Sequence, residues 1–144
     1  MFETIEQVAK GVELVAITPY QLNGFRRVEG DGTEEHGPAL EAGFRVLEDS
    51  SAEVRLRMTL VTPQASLLAD IAATYACEGR FGEEHQDLIG EFITRIGAMA
   101  VIPFLREAIM TTASRLGVEA PILGIVRQGE LNFGDPVVGA TFPG

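Results

Sequence analysis

VIPFLREAIMTTASRLG, residues 101–117, carries the most regular pattern in the chain. Leu105, Ile109 and Leu116, with Met110 and Ala113, recur at the three- and four-residue spacing of one buried helix face. Pro103 fits a first turn, where a missing N–H costs nothing, or else marks a kink. Arg115 falls in the last turn, where a cation suits the helix dipole, and Gly117 supplies a common stop. Such a face can pack on a sheet, on a second subunit, or on both. Just before it, residues 88–99 fit another helix, with Leu88, Phe92 and Ile96 on one side and Ile89 and Ile93 beside them.

Upstream the period changes from helical to alternating. Residues 53–61, EVRLRMTLV, place Val54, Leu56, Met58 and Leu60 on one side and Glu53, Arg55, Arg57 and Thr59 on the other. One buried face and one wet face is the pattern of an antiparallel strand. Residues 40–48 alternate through Leu40, Ala42, Phe44 and Val46. Residues 11–23 read as a first strand, which Pro19 either ends or places at a sheet edge. Residues 67–81 are rich in alanine, so a helix competes there. The threonine, tyrosine and cysteine, and the glycine that follows, argue for a strand in which Ile71, Ala73, Tyr75 and Cys77 share a face. Residues 25–38, 48–51, 63–66 and 82–87 read as connectors. Residues 1–10 form a short helix or frayed arm with Phe2, Ile5 and Val8 on one side. Residues 118–133 are extended, with turns at Gly124 and Gly129, and residues 134–144 read as an irregular tail rich in glycine and proline. There is no repeat and no linker. Strands precede helices, which predicts one α+β domain over 1–144: a four-stranded antiparallel sheet followed by a long helix packed on it.

Composition narrows the classes of function. The chain has 144 residues, 46% of them hydrophobic, enough for a real core and against general disorder. No apolar run reaches the roughly 18 residues of a membrane span, and the first residues do not resemble a secretory signal. One cysteine permits no internal disulfide, in keeping with a reducing cytoplasm. A net charge of −10 argues against nucleic acid and anionic membranes; it suits a basic protein partner, or solubility alone.

Catalytic patterns are missing from the sequence. There is no Gly-x-x-x-x-Gly-Lys-Ser/Thr loop, no Gly-x-Gly-x-x-Gly and no Gly-x-Ser-x-Gly elbow. The two histidines, His36 and His85, each sit in an acidic run on a connector, which reads as solvated surface rather than a convergent metal site. Cys77 reads as a small core residue rather than a nucleophile. Glu91 and Glu107 read as exposed, or as partners of Arg95 and Arg106, rather than as paired acids. The expectation is a protein that is not an enzyme and that needs no cofactor.

An ordered set of short motifs is more informative. Ala76-Cys77-Glu78 is followed by Gly79 and Phe81. Then come Ala100-Val101-Ile102-Pro103-Phe104-Leu105-Arg106-Glu107, Gly117 and Pro121, and Leu131-Asn132-Phe133. From about residue 12 to 133 the chain resembles the SecB family of export chaperones. That family carries a Cys-Glu step on a strand, a Pro-x-x-Arg-Glu helix opening and an Asn-Phe close. Residues 53–62 are similar in pattern to the family's third strand. Two departures stand out: the acidic residues of the family's first strand are not matched in 12–22, and residues 134–144 do not suit the family's closing helix.

The resemblance implies an ATP-independent holdase that keeps non-native polypeptides competent for export or handover. It implies a homotetramer, built as a dimer of dimers, with unfolded clients in apolar grooves. It names SecA as a partner, or an antitoxin where the chaperone is dedicated to one client. Groove candidates are Phe44, Val46, Met58, Tyr75, Phe81 and Phe104, and Glu78 is the candidate for motor docking. Leu105, Ile109, Ala113 and Leu116 are the expected oligomer interface. A small α+β ligand-binding domain is the alternative without a chaperone role.

Overall fold

The computed structural model describes residues 1–28, 32, 34–47, 51–82 and 85–121, and the backbone of 137–138. The turns expected at Gly124 and Gly129, the Leu131-Asn132-Phe133 motif, residues 48–50 of one connector and most of the tail lie outside these residues.

Thr4 starts the first element. Its hydroxyl accepts the Gln7 N–H at 3.2 Å, and the Gln7 side chain in turn accepts the Glu3 N–H at 2.8 Å. This reciprocal cap opens helix α1 (Ile5–Gly11), which buries Val8. The chain then turns directly into β1 (Val12–Arg26), followed by β2 (His36–Val46), β3 (Ala52–Val61) and β4 (Ala65–Cys77). Both ends of the expected 25–38 connector are therefore strand. The β3–β4 turn is closed by Thr62, whose hydroxyl accepts the N–H groups of Gln64 and Ala65.

The sheet order is β1-β4-β3-β2, all antiparallel, with a two-residue β5 (Val137–Val138) running parallel to β2 at Gly43 and Phe44. The architecture is the expected α+β one, with the tail contributing a fifth, minimal strand. Val54, Leu56, Met58 and Leu60 are all buried and aligned with Phe44, Ala42, Ile71 and Ala73 on the neighbouring strands. Placing β1 against β4 makes it an edge strand, which explains how Pro19 is tolerated in its middle. The simple alternation expected in β1 does not hold. The register slips between Leu14 and Ala16 and again between Pro19 and Gln21. Each bulge inserts one residue and reverses which side chains face inward.

The two helices expected from the sequence are one. Segments α2 (Gln86–Phe92) and α3 (Ala98–Arg115) are joined through a π turn, Ile93–Gly97, giving 30 unbroken residues from Gln86 to Arg115. In the π turn the Ala98 N–H bonds back to Ile93 O, and the Thr94 hydroxyl donates to Gly90 O at 3.1 Å. Pro103 is thus interior to the helix rather than in its first turn, and it is exposed, so its ring points away from the sheet. Gly97 lets helix and sheet approach closely: a Cβ there would lie 2.5 Å from Val54 Cγ2. The helix ends as expected. Gly117 adopts φ 71°, its N–H bonds Ser114 O, and the Val118 N–H reaches Ala113 O, the double closure of a Schellman motif.

Val101, Ile102, Leu105, Ala108, Ile109 and Ala113 are buried against the sheet. Met110, expected on that face, is half exposed. This corrects the interface expectation. Leu105, Ile109 and Ala113 show no accessible surface within the single chain, so they have nothing to offer a second subunit; Leu116 is partly covered. Outward the helix turns Pro103, Phe104, Glu107 and Met110. By length and composition alone Gln86–Arg115 could cross a membrane, which corrects the expectation that no apolar run is long enough. Half of its most apolar window is buried inside the protein, as in a core helix.

Candidate functional site

Two sites emerge, one on each face of the sheet. On the helix side, five aromatic rings meet at the end of the sheet where β2 and β4 finish and α2 begins. Phe92, fully buried at the end of α2, is the hub. It lies 5.4 Å from Tyr75, 6.1 Å from Phe44 and 5.2 Å from Phe81, between ring centroids. Phe81 also meets Phe44 at 5.2 Å and Phe2 at 5.1 Å, both edge to face. Such pairs contribute about 0.5–1.5 kcal/mol each beyond burial. Phe2, 5% exposed, rests on the backbone of Gly11 and Gly79, and its N–H donates to Arg80 O at 2.6 Å. Tyr75 carries the one polar group at the inner end. Its hydroxyl donates to Gly97 O at 3.1 Å, at the end of the π turn. Burial pushes its pKa up to about 12, so the hydroxyl stays neutral and keeps its donor role.

The six groove candidates do not form one surface. Phe44, Tyr75 and Phe81 converge. Phe44 and Tyr75 are buried and Phe81 is partly covered, so the first two are core residues beneath a site rather than its lining. Met58, also buried, sits four residues along β3 from the Val54 that faces Phe44, about 13 Å away. Val46, 55% exposed, lies past the end of the helix cover. Phe104, 45% exposed, is on the outer side of α3. The sequence reading missed Phe2 and Phe92 as members. Their helix-like and arm-like patterns gave the right buried sides, but nothing local says that two segments 90 residues apart meet over the same ring.

The other sheet face was expected to be wet. It is not: Asp70 has no accessible surface, and Glu53 is 5% exposed. Asp70 on β4 accepts a fork of two bonds from Arg55 at 2.7 and 2.8 Å and a third from Arg57 Nε at 3.1 Å. Glu53 accepts from Arg45 Nε at 2.9 Å and from the Tyr20 hydroxyl at 2.7 Å. The Arg55 guanidinium lies 4.2 Å from the centroid of the Tyr20 ring. Tyr20 is the residue inserted at the second β1 bulge, so the bulge aims this ring across the sheet. Hydrogen bonding to Glu53 raises the Tyr20 pKa, and hydrogen bonding to Asp70 raises that of Arg55. Long arginine stems lying over the strands cover what alternation alone assigns to solvent.

Glu78 is exposed just past β4, its N–H bonded to Gly11 O. Glu13 is exposed on β1 opposite Ala76. Of the other expected ion pairs, Arg95–Glu91 forms at 3.0 Å, while Glu107 accepts from Thr111 at 2.9 Å. His36 lies in β2 rather than a connector, and His85 precedes α2. Among the described residues no cluster of three or more acidic, histidine or cysteine side chains is arranged to hold a metal.

No family model matches the chain. A solved structure from Streptococcus agalactiae, of a protein of unknown function, superposes with a TM-score of 0.58 at 16% identity, over 79% of this chain and 97% of that one. The Mycobacterium tuberculosis Rv1957 SecB-like chaperone, solved in complex with a ChAD peptide from the HigA1 antitoxin, gives a TM-score of 0.61 at 19% identity, covering 83% and 90% of the two chains. In sequence, the SecB-like chaperone SmegB of Mycolicibacterium smegmatis is 31% identical over 128 residues, 89% of this chain and 84% of its own. With that identity across most of both chains and the fold in agreement, this chain belongs to the SecB-like chaperones.

Proposed function

We propose that this protein is an ATP-independent holdase that binds non-native polypeptides through apolar surface and releases them by handover. The observation that carries the reading is the amount of large apolar side chain left uncovered beside a well-packed core. Leu14, Val15, Leu22 and Phe25 on the β1 edge are 44–57% exposed, as are Val46, Phe104 and Met110. An edge strand of 15 residues with such a surface is poised for pairing with another chain. Apolar burial at roughly 25 cal/mol per Å² gives affinity with little demand on sequence. Family membership supports the chaperone role. Holding needs no cofactor and no catalytic group in this reading.

Assembly into a dimer of dimers in the cytoplasm would use the outer side of α3 as a contact, leaving the β1 edge to clients. SecA docking would use Glu78, and Glu78→Lys would lower SecA affinity while leaving client binding unchanged. A second reading, dedication to a single client, draws on the antitoxin peptide held by the Mycobacterium tuberculosis neighbour.

The test is fluorescence anisotropy with a reduced, stably unfolded model protein and no nucleotide. Submicromolar binding that vanishes when the client is allowed to fold supports the holdase. No binding at tens of micromolar overturns it as a general holdase, and screening antitoxin tail peptides then decides the dedicated alternative.

A further inference from the structure

The aromatic cluster ends in a residue that belongs to no secondary-structure element. Residues 1–3 precede the Thr4 cap, and α1 is closed by Thr4 and Gln7 without help from the Phe2 side chain. Yet that side chain is nearly as buried as the core. Its ring lies on two glycines from different elements: a Cβ at Gly11 would come within 2.7 Å of it, and a Cβ at Gly79 within 2.8 Å. Phe81 forms the wall, edge to face at 5.1 Å, and is itself only partly buried. A pair of glycines facing one another beside an aromatic wall is a slot for a flat ring. The ring now in it comes from a short arm whose backbone is tied to the slot at Phe2 N–H and Arg80 O.

We infer that this slot is an aromatic-accepting subsite for clients and that Phe2 is its resident competitor, which an aromatic side chain of a bound polypeptide displaces. The inference rests on the holdase reading and adds to it how the site is kept closed when empty. Leaving the slot filled by the chain's own residue shields Phe81 and the rings behind it from water and from other copies of the protein. Withdrawal of Phe2 breaks the Phe2 N–H to Arg80 O bond but costs no helical turn or strand ladder, since neither runs through residues 1–3. A competitor that closes the site most of the time lowers apparent client affinity by the open fraction. With an open state populated at about 10% or less, removing it raises affinity about tenfold or more.

Three variants test this with a reduced, carboxymethylated, tryptophan-free model protein as the client. Phe2→Ala is expected to bind it about tenfold more tightly than the parent. Phe2→Ala/Gly79→Ala, which narrows the emptied slot, is expected to lose that gain. Equal affinity of Phe2→Ala and the parent, with the fold intact by circular dichroism, overturns the competitor while leaving the holdase standing. No binding by either overturns both. Should Phe2→Ala fail to fold, Phe2→Trp serves, because the chain has no other tryptophan. Its emission should be blue-shifted in the free protein and move to the red when client binds. An emission that stays blue at saturating client shows the ring still in place and overturns the inference.

Discussion

Ile109 and Met110 are neighbours in α3 with opposite surroundings, and the contrast between them tests where the helix meets a second subunit. Ile109 has no accessible surface in the single chain, whereas Met110 is 50% exposed. In Ile109→Asp, losing a buried Ile side chain costs about 3 kcal/mol. An uncompensated buried carboxyl group adds about 3 kcal/mol or more. The sum, about 6 kcal/mol, is comparable with the whole stability of an ordinary domain. Ile109→Asp should therefore unfold the protein, seen as loss of the cooperative thermal transition. Met110→Asp adds a carboxylate to an already solvated position and should change subunit stability by less than about 0.5 kcal/mol. Its effect should appear in native mass spectrometry, as a shift to smaller species, if the outer side of α3 is a contact in the assembly. A folded Ile109→Asp of reduced mass would refute this reasoning, because it would mean that Ile109 faces a partner and not the sheet.

Other perturbations report on the two faces of the sheet. Asp70→Ala leaves Arg55 and Arg57, whose side chains are 15% and 12% exposed, without their carboxylate. It should cost about 3 kcal/mol in urea denaturation, while replacing all three residues by apolar ones of similar volume should be nearly neutral. A cost below about 1 kcal/mol for Asp70→Ala would remove the ion cluster as a determinant of stability. Tyr75 titrates near 12 in the folded chain against 10.0 for the free side chain. A folded pKa above the unfolded one gives stability that is full below pH 10 and is lost as pH rises toward 12. Discounted for solvent screening, the loss is at most about 2 kcal/mol, and denaturation at several pH values should show Tyr75→Phe to be flatter across this window. Gly97→Ala puts a methyl group 2.5 Å from Val54 Cγ2 and should cost about 1–3 kcal/mol by pushing the helix off the sheet. An unchanged melting temperature would contradict that close approach.

Local pattern determined the α+β class, the four principal strands, the inward side of β3 and the helix with its Gly117 stop. Spacing of two or about 3.6 residues carried most of this, and for β4 the threonine, tyrosine, cysteine and following glycine decided against a helix. The short motifs at Cys77-Glu78 and Pro103-Phe104-Leu105-Arg106-Glu107 led to the family for the same reason: they are contiguous in sequence. What the sequence did not determine depends on residues far apart in it. Arg55 and Arg57 read as solvent-facing because alternation cannot foresee that Asp70, thirteen and fifteen residues on, is buried between them. Leu105, Ile109 and Ala113 are apolar whether they meet a sheet or a subunit; the sheet's position decided between the two. The bulges at β1 arise from pairing with β4; the first reverses the inward side over residues 16–19 and the second restores it from Gln21 on. The slot under Phe2 requires Gly11, at the end of α1, to meet Gly79 and Phe81, just past β4, and only tertiary packing brings their backbones and rings within contact distance.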